Sequence, residues 1–174
     1  MSSLTKPETE TTVVDGVRVA TRTVGSGRRL VLLHRFRGTL DDWDPAFVSA
    51  LAALGHEVFM FDNLGVGQTG GVTPASVEGM ADFAASAIQA DGNTPVDVLG
   101  WSLGGFVAQV LALKYSRVVR KVVFAGTMPA GGAPELVWSQ DWLKRASAPA
   151  PTAENALALC MPAARPVELL AWRR

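Results

Sequence analysis

The sequence predicts an α/β fold: a mostly parallel sheet with helices on both faces, preceded by an antiparallel hairpin. Three observations predict it. Short runs such as Leu30 to Leu33 and Val58 to Phe61 are apolar at every position, as strands covered on both sides must be. These runs alternate with segments of helical periodicity, which is the order of a parallel sheet with crossover helices. Only 18% of the 174 residues are charged while 48% are hydrophobic, against about 25% charged in an average soluble protein.

The elements follow in order. Val13 and Val14 lead into Asp15-Gly16, a two-residue hairpin signal, and Val17, Val19, Thr21 and Thr23 then alternate with Arg18, Ala20 and Arg22. A half-exposed antiparallel hairpin is expected. Leu30 to Leu33 is the first core strand and Val58 to Phe61 the second. Val96 to Leu99, interrupted by Asp97, and Val122 to Ala125 complete four core strands.

Between them, a first helix is expected over Pro45 to Leu54, with Asp44 as N-cap, Pro45 at the first helical position and Gly55 as stop. Phe47, Leu51 and Leu54 are its expected core face. A second opens at Thr73-Pro74 and places Val77, Met80, Ala81, Ala84 and Ile88 on one stripe. A third follows Ser102 directly, with Phe106, Val110 and Leu113 as its core face. Beyond the uncharged MPAGGAP loop, Leu136 to Ala146 and Glu154 to Met161 are weaker helical segments, and PAARPVELLAWRR has no period. The organisation expected is a core over 1–130 followed by the start of a helical cap and an irregular tail over 131–174.

Composition excludes several classes of function. Sixteen Lys plus Arg balance sixteen Asp plus Glu, so no net field draws the chain to nucleic acid or to an acidic membrane. The longest uncharged run near the middle, Val98 to Leu113, is shorter than the roughly 18 residues of a spanning helix and is broken by glycines. One cysteine, Cys160, and two histidines, His34 and His56, assemble neither an intramolecular disulfide nor a Cys/His metal cage. With a polar N-terminus, this reads as a cytoplasmic protein.

The most specific signal is Gly100-Trp101-Ser102-Leu103-Gly104, set between an expected strand and an expected helix. In that setting G-x-S-x-G forms a nucleophile elbow, a turn so tight that residues two before and two after the serine must be glycine or nearly so. Ser102 would sit in strained backbone with its hydroxyl at the carboxyl edge of the sheet. A serine nucleophile needs a base to take its proton and donors where the oxyanion forms. The N–H of Leu103 is one donor, and the loop after His34, through Arg35 or Phe36, supplies the other.

At this point the chain resembles the α/β-hydrolase family, in its single-domain esterase and haloperoxidase-like branch. LVLLHRFRGTLDDWDPAFVSALAALG is similar to that family's strand, oxyanion loop and first helix. FDNLGVGQTG resembles its D-x-x-G-x-G-x-S turn with Thr69 in place of Ser, and VDVLGWSLGGFVAQVLAL its elbow. The likeness covers roughly residues 11–130. It implies that Ser102 is the nucleophile of an acyl-enzyme, that Leu103 and Phe36 are the oxyanion donors, that the substrate is a carboxylic ester or related small acyl compound, and that no metal or organic cofactor takes part.

Two departures stand against the family pattern. Arg35 occupies the place of the glycine that usually follows the histidine, putting a side chain where bare backbone normally passes. The family orders its triad Ser, then Asp or Glu, then His, whereas no histidine follows Ser102. The resemblance therefore implies a hydrolase truncated before the strands that carry the acid and the base, and the Ala-, Arg-, Pro- and Leu-rich composition of LCMPAARPVELLAWRR suggests a frame change near Cys160. The alternative is a binding pseudoenzyme without turnover. His34, at the carboxyl end of a strand beside the elbow strand, is the substitute base to consider, although a structural role is the plainer expectation; His56 reads as a surface residue.

Gly65-Val66-Gly67-Gln68-Thr69-Gly70 matches G-x-G-x-x-G, but Gly71 and Thr73-Pro74 delay the next helix, so a tight loop is expected instead of a dinucleotide site. Phe36, Trp43 and Trp101 are candidates to line an acyl pocket, with packing over the first helix an equal expectation for Trp43. The four-residue step from Trp138 to Trp142 suggests a cap helix. Ending the sheet at Val122 to Ala125 would expose an apolar edge and favour self-association, with Arg120 and Lys121 guarding one end of it.

Overall fold

A computed structural model describes residues 7–90, 92–129, 139–148 and 152. The chain divides into two compact units, Met1–Gly131 and Gly132–Arg174. The first contains strands β1 (Glu10–Val14), β2 (Val17–Val24), β3 (Arg28–Leu33), β4 (His56–Phe61), β5 (Val96–Trp101) and β6 (Val119–Ala125), with helices α1 (Pro45–Ala53), α2 (Val77–Gln89) and α3 (Leu103–Lys114). In the second, α4 (Gln140–Ala146) is capped by Ser139, whose Oγ accepts the Trp142 N–H. It falls within the expected Leu136 to Ala146 helix; Trp138 and the segment Glu154 to Met161 lie outside the described residues.

The six strands form one sheet in the order β1-β2-β4-β3-β5-β6. β1 with β2 and β2 with β4 run antiparallel; β3 is parallel to both β4 and β5, and β5 to β6. The hairpin turn has φ 49° at Asp15 and 78° at Gly16, the two positive values that match a two-residue turn to the twist of its strands. The packing of β3 shows why Leu30 to Leu33 is apolar at every position. Val31 and Leu33 join the core beneath α2 and α3, while Leu30 and Leu32 join the core that includes Val48 of α1.

Four expectations about exposure and extent are corrected. β2 is not half-exposed: Val19, Ala20, Thr21 and Arg22 are all buried, because the strand lies between β1 and β4 and is covered on both faces. Arg22 tolerates burial through bonds to the Leu40 carbonyl at 2.9 Å, Asp41 at 2.6 Å and Thr9 at 2.9 Å. The second helix opens at Val77, not at Thr73-Pro74, because Ser76 caps it by accepting the Gly79 N–H.

The helix phases differ as well. In α1 the buried residue is Val48, with Leu51 and Ala52 beside it, while Phe47 is exposed and Leu54 is 76% exposed. PAFVSALAA is apolar or small at nearly every position, so its periodicity does not set the phase. In α3 the buried face is Gly104, Gly105, Val107, Ala108 and Leu111, and Leu113 is 83% exposed. There the small residues set the phase by bringing the helix close to the sheet. The expected α2 stripe does hold, with Ala81, Ala84 and Ile88 in the core and Val77 and Met80 packed against it.

Among the described residues β6 is an edge strand, with Val123 54% and Phe124 51% exposed. No helix among the described residues is long and apolar enough to cross a membrane.

Candidate active site

From β3 the chain passes to β4 on one side and then crosses through α2 to β5 on the other. Such a reversal leaves a crevice at the carboxyl ends of the two diverging connections, where open α/β sheets bind ligands. The connections here are His34 to Gly38 after β3 and Ser102 to Gly104 after β5.

Ser102 is the single residue between β5 and α3, and its backbone sits at φ 55°, ψ −115°. A non-glycine residue there carries strain of about 1–3 kcal/mol. The surroundings hold it in place: its N–H donates to the Ala125 carbonyl of β6 at 2.9 Å, and its carbonyl accepts the Gly105 N–H at 2.9 Å. The flanking glycines are steric requirements. A Cβ on Gly100 would lie 2.7 Å from the Gly105 Cα, and one on Gly104 would drive into the Leu33 carbonyl. The serine hydroxyl makes no capping bond to its helix, and the N–H of Leu103, at the first helical position, has no intrahelical acceptor.

The loop after β3 turns at Arg35–Gly38, closed by the Gly38 N–H donating to the Arg35 carbonyl at 3.0 Å, with Arg37 at φ 58°. Phe36 stands half-exposed at the front of this turn. Arg35 is held by Asp42 at 3.2 Å and lies over the Trp101 ring at 5.8 Å. The loop is fixed from below by Asp62, which is 2% exposed; its two carboxylate oxygens accept the N–H groups of Leu40 at 2.7 Å and Gln68 at 2.8 Å. One buried carboxylate thus joins the loop after β3 to the loop after β4. Sequence reasoning placed Asp62 in a family turn without giving it this task; an acid closing an apolar strand just before a glycine-rich loop is the signal that could have found it.

Thr69, which stands where the family carries Ser, accepts the Ala20 N–H at 3.0 Å. The G-x-G-x-x-G segment is a tight loop, closed by the Gly65 N–H to the Gly70 carbonyl at 2.9 Å, and α2 opens only at Val77. Among the described residues no cluster of three or more His, Cys, Asp or Glu side chains is placed to hold a metal.

These loops enclose a cavity of about 280 Å³. Both expected oxyanion residues, Phe36 and Leu103, line it, together with Gly104, His34, Arg35 and Arg37. Asn63, Thr73 and Met80 also line it and were not found in the sequence, because they come from the loop after β4 and from α2, whose positions depend on tertiary structure. Of the three aromatic candidates only Phe36 lines the cavity. Trp43 is buried in the α1-side core, 6.2 Å from the Phe47 ring, and Trp101 packs 5.9 Å from Trp43.

His34 sits beside the cavity with its ring 4.3 Å from Trp43 and 5.4 Å from Trp101. Its Nδ1 accepts the Arg35 N–H at 2.8 Å, which leaves the ring proton on Nε2, a buried atom without a hydrogen-bond partner. Burial first, then the charge of Arg35, lowers its pKa from 6.5 to about 4, against an opposing effect of Asp42. His56 opens β4 at the opposite end of the sheet and is half-buried, so it is neither a surface residue as expected nor near the site.

With this geometry, the comparison with known proteins is decisive on family: the profile of the α/β hydrolase fold matches residues 28–163. The chain belongs to the α/β hydrolase fold family. Among solved structures, an α/β hydrolase fold protein from Chitinophaga pinensis superposes with a TM-score of 0.72 at 31% identity, covering 88% of this chain and 56% of that one. A Mycobacterium tuberculosis protein that carries the name non-heme bromoperoxidase is 30% identical over 59% of this chain and 39% of its own length. A pimeloyl-[acyl-carrier protein] methyl ester esterase of Pseudoalteromonas atlantica is 31% identical over 63% of this chain and 41% of its own. The chain therefore spans about two-fifths of the length of these curated relatives. Within the family, the esterase and haloperoxidase likeness read from the motifs is that of the relatives themselves.

Proposed function

We propose that this α/β hydrolase acts on carboxylic esters or related small acyl compounds through an acyl-enzyme on Ser102. The observation that carries the reading is the serine held at φ 55° between β5 and α3, beside a cavity lined by Leu103 and Phe36. The Ser102 Oγ attacks the acyl carbon as a general base takes its proton, and the resulting oxyanion accepts hydrogen bonds from the N–H groups of Leu103 and Phe36. Collapse breaks the ester bond as that base returns the proton to the departing alcohol, leaving the acyl group on Ser102, and water, deprotonated by the same base, then releases the acid. The names of the esterase relatives support the ester class. The lone cysteine supports a reducing, cytoplasmic setting.

Among the described residues the candidate base is His34. His34 is poorly prepared for it, since a general base needs a free ring nitrogen and a pKa near the working pH, whereas His34 holds its proton on Nε2 and its pKa lies at about 4. That observation favours a second reading, a scaffold that binds acyl compounds without turning them over. Hydrolysis of p-nitrophenyl butyrate separates the two. Turnover by the wild type that disappears in Ser102→Ala supports the first reading; no turnover by a folded wild type supports the second.

A further inference from the structure

We propose that Asn63 is a specificity-determining residue, whose side-chain amide donates a hydrogen bond to a second, neutral carbonyl oxygen carried on the chain of the acyl compound. This rests on the cavity being the acyl site just described. The strand order sets the two ends of that cavity. Leu103 lies two residues beyond the end of β5 and Asn63 two residues beyond the end of β4, with β3 between them. Neighbouring strands stand about 4.8 Å apart, so the two ends are separated by about 10 Å. The surface between them is apolar, from Leu33, Phe61, Met80 and Val107. A compound with its reacting carbonyl at the Leu103 N–H therefore runs over apolar walls toward Asn63. Since an apolar protein cavity of about 150 Å³ takes benzene, the 280 Å³ here suits a chain of about ten non-hydrogen atoms.

A carboxamide carries an acceptor oxygen and two N–H donors. In Asn63 the oxygen is committed, because Oδ1 accepts the Leu64 N–H at 2.9 Å. The backbone is held as well, with the Asn63 carbonyl accepting the Val66 N–H at 2.9 Å. These bonds fix the side chain and settle which of its two ends is the nitrogen. What the half-buried side chain has left to offer is its NH2 group, which meets no acceptor among the described residues and is not sealed away from the cavity that Asn63 lines. In a pocket with apolar walls, a few fixed polar groups decide which ligands are taken. Asn63 supplies such a group at the β4 end, and as a donor without charge it suits a ketone, ester or amide oxygen.

Titration with octane-2,7-dione and with octan-2-one, both uncharged, followed by NMR of the isotope-labelled chain, tests the proposal without requiring turnover. The dione should bind the wild type about fivefold tighter than the ketone, the scale of one net hydrogen bond. It should also shift the Asn63 side-chain amide resonance, which the ketone leaves in place. Asn63→Asp keeps an acceptor for the Leu64 N–H but replaces the amide donor with an acceptor oxygen, so it should abolish the preference and leave the ketone unchanged. An Asn63 that only braces its loop predicts no change in that variant. Equal affinities, binding of neither probe, an amide resonance that moves alike with both, or a preference that survives Asn63→Asp would overturn the proposal. Ser102→Ala should keep the preference. A Ser102 without activity but with the dione preference would sink turnover alone, and an active Ser102 without the preference would sink this proposal alone.

Discussion

His34 carries the sharpest consequence at the scale of a residue. Its folded-state pKa of about 4 lies below its ordinary 6.5, so the unfolded chain takes up a proton at a pH where the folded chain does not. The neutral ring's contribution is fully present above pH 6.5 and is lost as pH falls toward 4. Urea denaturation of the wild type and of His34→Asn between pH 7.5 and 4 should show a steeper loss for the wild type below pH 6.5, the two stabilities differing most at the acid end. Parallel curves would mean that the histidine is more solvated than its place among Trp43 and Trp101 implies. The motif made the position of His34 legible, but not its state, because Trp43 and Trp101 are distant in the chain and reach the ring only through packing. The strained backbone of Ser102 was legible, since the glycines that it requires are in the sequence itself.

At the scale of elements, Asp62 decides whether the loops after β3 and β4 act as one. Removing its carboxylate in Asp62→Ala would leave the buried Leu40 N–H without its acceptor, at about 1–3 kcal/mol, and the part-buried Gln68 N–H at a smaller cost. A loss of about 2–4 kcal/mol in urea denaturation is expected, with a smaller loss for Asp62→Asn, which keeps one acceptor oxygen. A change below about 0.5 kcal/mol would show that the loops are held by other contacts. Elements with a strong internal code were readable: β3 and β4 from unbroken apolar runs, the hairpin from Asp15-Gly16, and α1 from Asp44-Pro45. The phases of α1 and α3 were not, because PAFVSALAA and LGGFVAQVLALK offer apolar or small residues on every side. The burial of β2 was hidden by Arg22, which reads as a solvent residue until its three hydrogen-bond partners are in place.

For the molecule as a whole, the strand order creates the crevice and the turn from β5 into α3 sets Ser102 beside it, so the site is a product of topology more than of any one segment. The same topology leaves β6 with exposed Val123 and Phe124, a surface of the kind that recruits another strand. Sedimentation velocity should show association of the wild type that rises with concentration and weakens in Phe124→Lys; a monomer at every concentration would refute a role for that edge. The central claim is that Ser102 is an activated nucleophile. Intact-mass detection of fluorophosphonate labelling, on the wild type beside Ser102→Ala, tests it most directly. The account predicts one probe adduct on the wild type and none on the variant. A folded wild type that takes up no probe, or a variant labelled as readily, would contradict it.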